Sequence, residues 1–161
     1  MSTTTDYTPE ELTTLAAAVM LSGMAVSMVD VGVVSTAIEA NAMAQEVAGA
    51  AKRYPDNAVI QALFSEDAAR RAKDQGLKIE VRPEEMKPET AVNTAIDRIN
   101  AALTILNTKA TPEEIQEYKE FIYACADRVA NAAGSGLFGA GEKVSPQEAA
   151  ALDQLRVALE L

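Results

Sequence analysis

The side chains that could do chemistry in this chain are mostly carboxylates, because much of the usual catalytic repertoire is missing. Its 161 residues include no histidine and one cysteine, Cys125. Without imidazole there is no Ser-His-Asp or Cys-His relay, no ordinary near-neutral general base and no nitrogen ligand for zinc. A single thiol cannot close an intrachain disulfide, which fits a reducing compartment, and the expected location is cytoplasmic. Carboxylates are plentiful: 24 Asp and Glu stand against 14 Lys and Arg, for a net charge of -10. Any resident ion is therefore expected to be Ca2+ or Mg2+, held by oxygen ligands. An enzyme would have to work with carboxylates, Tyr, Lys or Arg alone, so catalysis ranks below binding among the functions this composition allows.

Asp30 is the carboxylate hardest to explain as surface. It follows Val-Ser-Met-Val and precedes Val-Gly-Val-Val, and a carboxylate in apolar surroundings must find partners. It either caps the turn into the next helix through backbone N–H groups or joins Glu39 as an oxygen ligand for a hard cation. Asp127 and Glu148 form a second candidate pair across a glycine-rich loop. Neither pair has the dense acidic spacing of a calcium-binding loop.

That loop holds Gly134-Ser135-Gly136-Leu137-Phe138-Gly139. The glycine spacing matches a dinucleotide fingerprint, but the context does not. A helix precedes the segment and the next helix opens only at Ser145, so no strand leads a helix N-terminus to a phosphate. Leu137 and Phe138 in this loop either fold back over the bundle or dock on a partner. Met20, Met24 and Met28 recur every fourth residue. Such a stripe packs a core or offers an adaptable apolar surface to a ligand or partner helix.

These residues must be positioned by helices. The six prolines are Pro9, Pro55, Pro83, Pro88, Pro112 and Pro146, and each falls where a helix could begin. Thr8-Pro9-Glu10-Glu11, Thr111-Pro112-Glu113-Glu114 and Ser145-Pro146-Gln147-Glu148 each read as a capping box: the hydroxyl takes the third helical N–H and the Glu reaches back to the cap. Helices are predicted over about 9–29, 36–53, 56–74, 88–107, 112–133 and 146–159. Ile96, Ile99, Leu103 and Leu106, and Ile115, Tyr118, Ile122, Cys125 and Val129, form apolar stripes predicted to face inward. Residues 77–81 alternate like a strand, but a lone strand has no partner, so an extended linker is expected. The fold class is thus an all-α, single-domain antiparallel helical bundle of about six helices over 1–161. The linker is the best place to divide it into halves, 1–76 and 88–161.

The run from Leu15 to Val34 is long and apolar, but it contains Ser22, Gly23, Ser27 and Asp30 and is rich in alanine, so a buried central helix is expected rather than a membrane span. Residues 1–11 carry no basic side chain, and no secretory signal is expected there. The acidic surface argues against nucleic acid and anionic membranes as partners. Six cations lie between Arg70 and Lys87, interleaved with Asp74, Glu80, Glu84 and Glu85, the composition of a solvated mixed-charge face.

Two regions share a pattern. Ala25-Val26-Ser27-Met28-Val29-Asp30-Val31-Gly32 is followed by Val34-Ser35-Thr36-Ala37-Ile38-Glu39. Ala124-Cys125-Ala126-Asp127 is followed, after the glycine insert, by Val144-Ser145-Pro146-Gln147-Glu148. Each reads as a helix ending near an Asp, a glycine turn, a Val-Ser and a new helix opening toward Glu. This resembles the Ala-Asp-Gly … Ser-x-x-Glu pattern of the tellurite-resistance TerB-like domains. The resemblance implies an acidic all-helical domain linked to bacterial stress responses that binds divalent cations or partner proteins. The leading expectation is a non-catalytic helical interaction or stress-response module that binds a partner protein or self-associates as a homodimer. A binding protein for a small ligand or divalent cation comes second, and a histidine-independent enzyme third.

Overall fold

The computed structural model describes residues 6–29, 36–134 and 144–161, apart from the side chains of 36–40, 133 and 134. It is all-α. The helices are α1 (Pro9–Val29), α2 (Thr36–Arg53), α3 (Ala58–Phe64), α4 (Glu66–Asp74), α5 (Ala91–Lys109), α6 (Pro112–Gly134) and α7 (Pro146–Leu159), with one 3-10 turn at Pro83–Met86. No strand occurs among the described residues, and 77–82 carry no regular secondary structure.

All three capping boxes form. Thr8, Thr111 and Ser145 each accept the N–H of the Glu three residues on, at 3.2 Å. Glu11, Glu114 and Glu148 accept the cap N–H in return at 2.8, 2.9 and 2.9 Å. Pro9, Pro112 and Pro146 are the first helical residues. Pro55 and Pro88 instead lie three residues ahead of α3 and α5, because Asn57 and Thr90 occupy the cap positions.

The predicted helix over 56–74 is two helices. Ser65 ends α3 with its N–H on the Gln61 carbonyl at 3.2 Å, and its hydroxyl accepts the Ala68 N–H at 3.1 Å to start α4. A serine that can cap outward breaks a helix that apolar periodicity alone would carry through. At the far end of α4, Gly76 takes a φ of +62°. The Leu77 N–H reaches the Ala72 carbonyl and the Gly76 N–H that of Lys73, closing the helix in a Schellman arrangement.

α1 is the central element and packs most extensively on α5 and α6. By length and composition it could cross a membrane, yet nine of its residues, from Leu15 to Val26, are buried in the protein. On α5 the buried line is Ala91, Ala95, Ile99, Ala102 and Leu106, while Ile96 and Leu103 are only half-buried. The predicted stripe is therefore rotated. Alanine faces let α1 and α5 approach closely, and the larger Ile96 and Leu103 pack at the edges of the contact. On α6, Tyr118, Ile122, Cys125 and Val129 are buried as predicted, Ile115 is half-buried, and Phe121, Ala126 and Ala130 join the core. The Tyr118 hydroxyl donates to the Leu15 carbonyl at 2.7 Å, which ties α6 to α1. Phe121 meets the rings of Tyr54 and Phe64 at centroid distances of 6.1 and 5.4 Å.

A candidate methionine-lined docking groove

The methionine stripe of α1 lies along an open apolar groove. Met20 and Met28 are half-buried, and Met24 is 43% exposed, one of two large apolar side chains exposed among the described residues. α2 forms one wall with Ala44, Val47 and Ala48, and Leu63, Phe64 and Ala69 of α3 and α4 form the other. Met43 and Val129 lie at the base. The cavity measures about 660 Å³, and among the described residues no ionisable side chain lines it.

Gly23 explains how α2 can approach α1 here. A Cβ on this glycine would sit 2.8 Å from the Met43 sulfur and 3.4 Å from a Val129 methyl. The missing side chain leaves room for Met43, so the groove floor is built by a close helix approach. Ala44 and Ala48, one turn apart, keep the α2 wall low.

The charged groups nearby are engaged in structure. The exposed side chain of Arg53 makes an ion pair with that of Glu46, and this hydrogen bond holds the guanidinium proton more firmly than usual. Cys125 is buried, and burial pushes its thiol well above the ordinary value, with the Glu46 carboxylate adding in the same direction. A thiol kept protonated is a poor nucleophile. Burial likewise pushes the Tyr118 phenol up. Tyr118 ties α6 to α1, Arg53 and Glu46 pair within α2, and burial keeps the Cys125 thiol and the Tyr118 phenol protonated.

Of the predicted acidic residues, Asp127 and Glu148 alone have described side chains. Asp30 lies outside the described residues, as do Leu137 and Phe138, and the Glu39 side chain is undescribed. Asp127 is half-buried on α6. Glu148 is buried and serves as the reciprocal cap of α7. Among the described residues, no three Asp, Glu or Cys side chains come together as a metal site would require.

Sequence reasoning did not anticipate that Glu114 would join two helices. Besides capping α6, it accepts the Ala58 N–H at 3.3 Å, at the start of α3. Asn57, itself buried, caps α3 through the Ile60 N–H and donates to the Glu114 carbonyl and the Glu117 carboxylate at 3.1 and 2.9 Å. The local signals were a capping box and an asparagine ahead of an apolar run; their meeting across 57 positions in sequence is set by how α3 packs on α6.

No family model, curated protein or solved structure matches this chain.

Proposed function

We propose that this protein is a non-catalytic helical interaction module and that the methionine groove receives an amphipathic helix of a partner protein. The observation that carries this reading is the half-open apolar groove along Met20, Met24 and Met28, with Met24 at its mouth. Methionine is flexible and polarisable, so it can repack around different apolar side chains. Low alanine walls suit a helix laying its apolar face between them. The TerB-like pattern adds a stress-response setting to this proposal.

A second reading is favoured by the cavity volume of about 660 Å³, which lies in the usual range for small-molecule sites. In that reading the occupant is a compact apolar ligand. Selection of helical peptides from a library against the purified protein tests the first reading. Peptides with apolar residues at helical spacing should be enriched, and their binding should fall at least about tenfold in Met24→Glu, a loss of about 1.4 kcal/mol. Peptides that bind Met24→Glu as tightly as the unaltered protein would remove the groove from the interface. Binding of a second copy there would instead appear as a dimer that Met24→Glu dissociates.

A further inference from the structure

A second cavity lies at the other end of α1 and differs in kind. It measures about 370 Å³, and its floor includes Leu12 and Ala16 of α1, Ala62 of α3 and Ala68 of α4. The extended strap after α4 closes one side with Leu77 and Ile79, and Arg71 and Lys78 stand at the polar margin. Neither cation forms an ion pair among the described residues. Their neighbours are engaged: Arg70 lies within reach of Glu66 and Asp67, and Arg82 and Arg98 both meet Glu85. In a chain of net charge -10, an apolar pocket edged by two uncommitted cations is chemically specific.

We propose that this pocket binds an amphiphilic anion, a medium-chain carboxylate whose tail lies along Leu12, Ala16, Ala62 and Ile79 and whose headgroup sits between Arg71 and Lys78. The apolar floor favours the tail through burial of its methylenes. A guanidinium can hold a carboxylate by two parallel charge-assisted hydrogen bonds, and an ammonium adds a point charge beside it. The acidic surface elsewhere disfavours an anion, so the headgroup is directed to this margin. Among the described residues the lining supplies neither a nucleophile paired with a base nor a cluster of carboxylates, so the ligand is held without reaction. The proposal is independent of the methionine groove and stands or falls separately.

Decanoate, decanol and acetate, each kept below any aggregation threshold, are titrated into the 161-residue protein. Binding is read by calorimetry and by the methyl signals of Leu12, Leu77 and Ile79. Decanoate should bind saturably and shift those signals, with decanol and acetate each weaker by about tenfold or more. The double variant Arg71→Gln/Lys78→Gln removes two exposed charges and should keep its helical circular dichroism while losing decanoate affinity by a similar factor. The proposal is overturned if decanoate gives no saturable binding, if decanol or acetate matches it, or if the double variant binds decanoate unchanged. Shifts confined to the methionine methyls would likewise overturn the assignment to this pocket.

Discussion

The two sides of α1 show what apolar residues do when a helix is sealed and when it is left open. Toward α5 and α6, Leu15, Ala18, Val19, Ala25 and Val26 are fully buried, and Tyr118 fixes the contact with a hydrogen bond to the Leu15 carbonyl. Toward α2 and α4, Met20, Met24 and Met28 line open space. Both sides are apolar, so hydropathy alone does not separate them. Side-chain shape does: alanines, valines and Leu15 occupy the tight contact of α1, and its flexible methionines occupy the groove. Substitutions should therefore cost stability on the sealed side and alter binding on the open one.

The largest expected effect is at Ile122, fully buried on α6. Ile122→Ala should cost about 2–5 kcal/mol through lost burial and a residual cavity. Denaturant melts showing a loss below about half a kilocalorie would break the distinction between the two sides. Next is Glu114→Ala, which strips a partner from the N–H groups of both Thr111 and Ala58. A loss of about 1–3 kcal/mol is expected from the uncapped ends. Faster amide exchange at Ala58 as well as Thr111 would identify the double cap, and a change at Thr111 alone would contradict it.

The seam between α1 and α5 should respond to acid. Lys109 donates to the Glu11 carboxylate at 2.6 Å, and that bond, with the backbone bond from Thr8, lowers the Glu11 pKa below its ordinary value. A depressed carboxylate contributes stability that is present above the ordinary carboxylate value and is lost as pH falls through the lower folded value. Lys109→Met should therefore flatten the decline in stability on acidification. An unchanged slope would show that this pair does not contribute to it.

Gly23 lies at the boundary between the sides. Gly23→Ala would gain helix propensity of about 0.5–1 kcal/mol, but its Cβ would press on the movable end of Met43. A near-neutral change in stability is expected, together with a shifted Met43 methyl signal. The smallest stability effect is expected for Met24→Glu, within about half a kilocalorie because the side chain is already exposed. A loss comparable to that of Ile122→Ala would mean that the groove is sealed in solution.

Much of the fold was legible in the sequence because local chemistry decides it. The Thr-Pro-Glu-Glu and Ser-Pro-Gln-Glu starts hold the termini of α1, α6 and α7 through contacts within four residues. The break at Ser65 and the rotation of α5 were harder to read. A serine between an apolar run and an acidic pair is compatible with continuing the helix or with capping, and packing decides. The buried face of α5 follows its alanines, which count as weakly hydrophobic in a stripe but set how closely helices approach. The methionine stripe was visible as a period of four, yet its opening depends on Gly23 and the alanines of α2, which meet it only in three dimensions. Glu148 was legible as the closing residue of a capping box, and it caps α7 in the fold.

The most direct test of an open methionine side uses methyl-labelled methionine and a peptide selected as a groove binder. Met86, in the 3-10 turn and outside the groove lining, is the internal control. The methyl signals of Met20, Met24 and Met28 should shift together on saturation while that of Met86 stays in place. Unmoved groove methyls, or shifts at Met86 equal to theirs, would contradict an open methionine side.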